Sequence, residues 1–310
     1  MKILKFFSIF LALIGLISAV SYAYFTDQVT VTNNVITTGD WTAPESVAAA
    51  LNTYKTTSTF NVNYTASDSV SQVKSVKLYY KFGAGGSWTL FTEDSFTPVQ
   101  TRSSSFIFDS PAGDGEYFFY TRATDIYDNF EDVPLTADAS TIVDTVKPVT
   151  TFTVGDPKYT SGANNYVASA TQFSLSATDA TSGVDHSTYQ IGDIGSIETY
   201  LASFNLTGEG THKIYYRSYD KAGNVEDSHD QTFILDTSAP SSQIDQASLT
   251  GYKNTNSFSI PTTQSDSASG VAKLHLYFRK DGGIFTEFGN YTVGNVNFTG
   301  TGDGEYEFYT

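Results

Sequence analysis

Three stretches of the chain can be laid over one another without a gap. Gly113–Asp132 reads GDGEYFFYTRATDIYDNFED, Gly208–Asp227 reads GEGTHKIYYRSYDKAGNVED, and Gly302–Thr310 reads GDGEYEFYT. Gly115, Gly210 and Gly304 then coincide, as do Phe119, Ile214 and Phe308. Arg122 falls on Arg217, Asp125 on Asp220, Asn129 on Asn224, and Glu131 on Glu226. A recurrence of this kind means that one structural unit has been copied along the chain. Each copy also alternates with a period of two, the pattern of a half-buried strand. The third copy stops before its Arg, so the chain reads as a fragment cut inside its third repeat.

The boundaries of the copies are marked by a second recurring phrase, Asp-x-x-x-Pro. It occurs as DWTAP at Asp40, DTVKP at Asp144 and DTSAP at Asp236. Proline gives no N–H to a ladder and fixes φ, so it suits a stiff linker or a first edge position. Repeat 1 is therefore 42–144, repeat 2 is 145–236, and repeat 3 is 237–310 and incomplete. Units of roughly 75–105 residues are long enough for a small core of their own.

Inside each repeat the same elements return in the same order. An early strand is written Ser58–Tyr64, Thr171–Ala177 and Asn256–Thr262, with Phe60, Val62, Tyr64, Phe173, Leu175, Phe258 and Ile260 expected to face the core. A polar loop opening on Asp68, Asp179 or Asp266 follows, then a strand ending in a glycine-rich hairpin turn, then the GDGEY strand and a short closing strand. The chain carries 23 Phe and 21 Tyr against one Met, a bias toward strand formers that predicts an all-β fold. The one segment with a helical look is PESVAAALNTY, from Pro44.

Several short strands per unit, with turns every 8–12 residues, predict an immunoglobulin-like sandwich. The Asp-Gly-x-Tyr phrase resembles the tyrosine corner of immunoglobulin-type domains, with Tyr117 and Tyr306 at the corner and His212 replacing them in repeat 2. Phe119, Ile214 and Phe308 stand where antibody domains carry their second cysteine. YYRSYDKAGNVED resembles the signature of bacterial immunoglobulin-like repeats of large surface and secreted proteins. That resemblance covers most of 42–310, and it implies tandem β-sandwiches serving as spacers, adhesins or companions of catalytic domains.

The first residues are a targeting segment rather than part of the fold. Lys2 and Lys5 precede an apolar run, Phe6–Val20, too short for the ~20 residues of a membrane-spanning helix. Ser21 and Ala23 suit a signal peptidase, so cleavage is expected between Ala23 and Tyr24, leaving 1–23 as signal peptide and 24–41 as an extended N-terminal segment. Membrane contact is expected only if this segment stays uncleaved. Ala23, Tyr24, Phe25, Thr26 and Asp27 are similar to the processing motif of camelysin/TasA-type biofilm-matrix precursors. Asn34, Ile36, Thr38 and Gly39 are similar to the strand that follows it there. This second resemblance implies export, to a prokaryotic cell surface or into the medium.

An exported chain without cysteine has no disulfides and must be held by its aromatic cores. Its formal charge of −16 disfavours nucleic acid and anionic lipid as partners. No catalytic constellation is legible. His186, His212, His229 and His275 form no metal-ligand spacing, and no nucleophile elbow or phosphate loop is present. The adjacent pairs Glu131–Asp132 and Glu226–Asp227 would point to opposite faces of a strand.

DKAGNVE, Asp220–Glu226, has two readings. Asp220, Asn224 and Glu226 are oxygen donors of the kind calcium takes. The same residues make an ordinary turn, with Asp220 capping the backbone and Gly223, or Asp128 in repeat 1, at positive φ. No other cofactor is indicated. Trp88 is read as packing on a core rather than stacking on a sugar, with Phe285 in the matching region of repeat 3. The expected function is a non-enzymatic surface or matrix protein whose repeats act as a stalk or adhesion scaffold, with surface glycans or other surface proteins as partners. The alternative is the accessory part of a larger secreted enzyme.

Overall fold

The structure is a computed structural model that describes residues 29–31, 34–36, 39–292 and 294–310. The expected signal peptide, its Ala23–Tyr24 cleavage point and most of the matrix-precursor motif lie outside the described residues. The chain divides into two compact units, Met1–Thr145 and Val146–Thr310.

In the first unit, β1 (Val29–Val31) and β2 (Asn34–Ile36) pair as a small antiparallel ribbon. The body follows as β3 (Glu45–Ala48), β4 (Tyr54–Lys55), β5 (Phe60–Ser67), β6 (Val73–Phe82), β7 (Thr89–Val99), β8 (Thr101–Phe108), β9 (Gly115–Asp125) and β10 (Ala139–Val143). One sheet has the order β3-β5-β8, and the other β4-β10-β9-β6-β7. The segment read as weakly helical is instead β3, a loop and β4. Pairing of Ala48 with Tyr64 on β5 overrides the local preference of its alanines. The chain thus begins in one sheet and crosses to the other, where β4 runs parallel to the last strand, β10.

Alternation along β5 puts Val62, Tyr64 and Ala66 inside, and β9 contributes Tyr117, Phe119 and Ala123. Phe108 sits between them, edge-on to Phe119 at 4.8 Å and to Tyr117 at 5.2 Å. Such edge-to-face pairs add about 0.5–1.5 kcal/mol each beyond the burial of their surface. The Tyr117 hydroxyl donates to the Gly113 carbonyl at 2.8 Å and accepts from the Ala112 N–H at 3.0 Å. Burial holds this phenol above the ordinary tyrosine range. Gly115 has a φ of +141°, and the Phe82 ring lies where any Cβ would be, so the corner requires glycine there.

In the second unit, the part up to Leu235 repeats this plan. Its strands are β11 (Val149–Val154), β12 (Lys158–Ser161), β13 (Asn164–Val167), β14 (Phe173–Thr178), β15 (Val184–Ile191), β16 (Glu198–Thr199), β17 (Gly210–Asp220) and β18 (His229–Leu235). β11 pairs with β14, and the larger sheet runs β12-β13-β18-β17-β15-β16. Again the strand before the core hairpin, β13, is parallel to the closing strand, β18. No counterpart of β8 is a full strand here, because Phe204 makes a single bridge to Phe173.

The remainder holds β19 (Ser241–Ile244), a 3-10 turn at Gln246–Leu249, β20 (Ser257–Ile260), β21 (Thr262–Ser265), β22 (Leu274–Lys280), β23 (Thr286–Tyr291), β24 (Val296–Thr299) and β25 (Tyr306–Tyr309). β20 and β21 are one strand broken at Pro261, which lacks the N–H to continue a ladder. Its core is a third separate cluster around Ile260, Leu274, Leu276, Val296 and Phe298. Two facing antiparallel sheets and a corner side chain reaching four residues upstream, with an early strand parallel to the closing strand in the first two repeats, define an immunoglobulin-like β-sandwich. The chain is an all-β array of such sandwiches.

Candidate functional site

Among the described residues, a grouping of three acidic side chains lies at the end of the first sandwich. Three segments meet there: the Asp-x-x-x-Pro entry at Asp40, the loop after β5 at Asp68, and the end of β9 at Asp125. One carboxylate oxygen from each lies within 4.8 Å of the others. Asp125 is fully buried and Asp68 is 4% exposed.

Each carboxylate is positioned by the backbone of its own loop. Asp68 Oδ1 accepts from the N–H groups of Val70 at 2.7 Å and Ser71 at 2.6 Å. Asp125 Oδ1 accepts from Tyr127 at 2.9 Å and Asn129 at 2.8 Å, closing a turn with Asp128 at a φ of +67°. Asp40 Oδ1 accepts from Thr42 N–H at 2.7 Å. Burial pushes the Asp40 carboxyl up, but the Thr42 backbone, the nearby Ser71 hydroxyl, the Thr42 hydroxyl and the Trp41 backbone together outweigh it and hold it below the ordinary carboxylate value. Asn129 ties the grouping together, donating from Nδ2 to Asp125 Oδ2 at 2.7 Å and to the Asp40 carbonyl at 2.9 Å.

The second oxygens are satisfied unequally. Asp125 Oδ2 has Asn129 and, at 3.2 Å, the Ser71 hydroxyl. Asp68 Oδ2 and Asp40 Oδ2 are buried and have no hydrogen-bond donor. Ionised carboxylates within 4.8 Å of one another repel by at least roughly 3 kcal/mol at an effective dielectric near 20. A buried acceptor left unpaired costs about 1–3 kcal/mol more.

The turn singled out in repeat 2 behaves in part as the sequence suggested. Asp220 Oδ1 accepts from Gly223 and Asn224 N–H at 2.7 and 2.8 Å, Asn224 Nδ2 donates to Asp220 Oδ2 at 2.8 Å, and Gly223 has a φ of +101°. Glu226 is not brought to a shared ligand position with them. Its oxygens accept from Thr150 N–H at 2.9 Å, from Ser218 N–H at 3.1 Å and from the Thr150 hydroxyl. Glu131 does the same in repeat 1, accepting from Ser46 N–H at 2.8 Å and Ala123 N–H at 2.9 Å. Burial pushes its carboxyl up, and the hydrogen bonds only partly counter this. These two glutamates fasten the first strand of each sandwich to its long central strand. Sequence reasoning missed that role because the partners lie 85 and 76 residues away.

The histidines also serve local structure. His212 Nε2 is 2.6 Å from the Gly208 carbonyl, and so takes over the corner contact that Tyr117 and Tyr306 make to Gly113 and Gly302. His186, His229 and His275 pair with Asp185, Glu226 and Glu287. Trp88 packs edge-on against Tyr120 at 4.5 Å on the outer face of the larger sheet, rather than in the core between the sheets. Lys81 lies over its ring. Phe285 takes the matching place against Tyr309 at 4.8 Å, with Arg279 over it. A shallow groove of about 430 Å³ in the second unit is lined by Tyr189, Asp193, Ile197, Tyr215 and Arg217 among others.

No family model matches the chain, and no curated protein does. Among solved structures, the chain is similar to fibronectin(III)-like modules of Clostridium thermocellum CbhA, at 15% identity and a TM-score of 0.26, covering 61% of this chain and 90% of that one. A 1.5-MDa bacterial ice-binding adhesin gives 17% identity and a TM-score of 0.30, over 78% and 80% of the two chains. The sialic acid binding region of a Streptococcus sanguinis adhesin gives 11% and 0.24, over 64% and 79%. The assignment to immunoglobulin-like sandwiches rests on the strand order and corner of this chain itself.

Proposed function

We propose that the protein is a non-enzymatic, exported cell-surface or matrix protein whose sandwiches act as a stalk and adhesion scaffold, reaching glycans or proteins on other surfaces. The observation that carries this reading is the pairing of entry and exit strands. β4 runs parallel to β10, with Ile142 N–H donating to the Thr53 carbonyl and Asp144 N–H to the Lys55 carbonyl, both at 2.8 Å. In repeat 2, Asp236 N–H donates to the Val167 carbonyl at 2.9 Å between the parallel strands β13 and β18. Tension applied to the two ends of such a sandwich pulls parallel neighbours in opposite directions along their length. Their hydrogen bonds must then fail together rather than one after another. A scaffold under tension gains from this arrangement.

The Glu131 and Glu226 fastenings add a tie at the first strands, β3 and β11, and the strongly acidic composition favours a dispersed extracellular chain. Antibodies raised against the repeats and applied to intact producing cells test the proposal, together with attachment assays on cells lacking the protein. Labelling of intact cells and loss of attachment are expected. Labelling only after permeabilisation, or unchanged attachment, would overturn the reading.

A further inference from the structure

We propose that Asp40, Asp68 and Asp125 bind a calcium ion that fastens the entry of the first sandwich to its end loops. The grouping has what an ion would need and what a plain turn would not. A turn uses one carboxylate oxygen to collect backbone N–H groups, and Oδ1 of each aspartate already does so. One carboxylate oxygen of each aspartate lies within 4.8 Å of the others, and Oδ2 of Asp68 and of Asp40 is buried with no hydrogen-bond partner. Asp68 is more than nine-tenths buried, so water from the bulk is a poor substitute. Buried carboxylates this close need either a shared proton or a cation, and at neutral pH a divalent cation relieves the repulsion of all three at once.

The donor set selects the ion. All three ligands are carboxylates, with no histidine or thiolate, which disfavours zinc and the softer transition metals. Calcium–oxygen distances of about 2.3–2.6 Å put opposite ligands about 4.6–5.2 Å apart. Carboxylate oxygens that all lie within 4.8 Å of one another can share one such ion. Magnesium would draw its ligands closer and keep several waters, for which this pocket has little access. Asp125 remains a ligand while accepting from Asn129, because each carboxylate oxygen has more than one lone pair.

The site joins segments far apart in sequence, the Asp40 entry, the loop after β5 and the turn after β9. A bound ion therefore restrains the path by which the chain enters the first sandwich. The same residue types recur in sequence at Asp144, Asp179 and Asp220. The proposal is independent of the adhesive role, since it concerns binding by the purified chain.

Asp68→Asn is the informative variant. Asn keeps the Oδ1 acceptor for Val70 and Ser71, and replaces the unpartnered oxygen with an NH₂ that donates to Asp40 Oδ2. The full chain and this variant are titrated with calcium chloride by calorimetry and melted with and without chelator. The wild type should bind calcium saturably and melt higher with it. The variant should lose one binding equivalent and, in chelator, melt higher than the wild type, because it removes a repulsion. Asp40→Ala, in the entry segment, should also lose that equivalent while leaving the β5 loop intact. Magnesium at equal concentration should not displace calcium. Absence of calcium binding, an undiminished stoichiometry in both variants, or magnesium binding as tightly would each overturn the assignment.

Discussion

The sandwich that closes at Val143 and the one that closes at Leu235 share a strand plan and fill it differently. The first is packed by aromatic rings on both sheets, with Phe108 touching Phe60, Tyr80, Phe91, Tyr117 and Phe119. The second has Ile214 where the first has Phe119, and His212 where the first has Tyr117. Its core is smaller, and Leu206 and Phe204 reach it from a segment outside any full strand. His212 keeps the contact to the carbonyl four residues upstream, without the returning backbone N–H that Tyr117 receives from Ala112. The difference teaches that strand order tolerates loss of one strand, provided that the long central strand, its corner contact and the parallel closing strand remain.

The largest effect expected from this contrast is on core truncation. Phe108→Ala should destabilise the first sandwich by about 3–5 kcal/mol, the range for deleting a buried aromatic ring. Phe173→Ala, in the smaller core, should fall at the lower end of that range. Hydrogen exchange of β9 and β17, read separately in the full chain, measures both. Equal losses would break the contrast between the cores.

The corner comes next. Tyr117→Phe leaves the Gly113 carbonyl and the Ala112 N–H without the hydroxyl, at a cost of about 1–3 kcal/mol. His212→Ala removes one contact at a partly exposed position and should cost less, about 1 kcal/mol. The same exchange measurement ranks the two.

A pH effect distinguishes the fastening of the first sandwich. The Glu131 carboxyl is raised above its ordinary value of 4.5 by burial. The folded state therefore holds the proton more tightly than the unfolded chain. Its contribution is complete below the unfolded value and is lost as pH rises through the folded one. Relative to Glu131→Gln, the wild type should lose melting temperature as pH rises from about 4.5. A constant difference across that window would show that the ionisation is not linked to folding.

The smallest effect expected is at the outer face. Lys81→Met removes the cation over Trp88 and Phe118 and should cost about 0.5–1 kcal/mol. Phe285 and Arg279 predict a similar cost for Arg279→Met in repeat 3, once loss of its pairing with Glu307 is allowed for.

Much of this was legible from local sequence. Phe60, Val62 and Tyr64 alternate because a strand alternates, and Gly223 and Asp128 mark turns because few residues accept positive φ. Each aspartate of the three-carboxylate grouping also stood in a recurring phrase. Their convergence was not legible, because Asp40 and Asp125 meet only once the chain has wound through both sheets. The pairing of Ser46 with Glu131 has the same cause. PESVAAALNTY misled for the complementary reason: its alanines carry a local helix preference that sheet pairing with Tyr64 overrides. Loss of the β8 counterpart in repeat 2 depends on how the core fills, which no local pattern encodes.

The central claim is that each of the first two sandwiches is a separate unit whose parallel early and closing strands resist tension. Stretching single full-length molecules between a surface and a cantilever tests it directly. Separate force peaks are expected, with the 99-residue body from Glu45 to Val143 releasing roughly 300 Å. Glu131→Gln should lower the peak assigned to that sandwich and leave the others unchanged. Extension at low force without peaks, or a single event releasing the whole chain, would contradict the account.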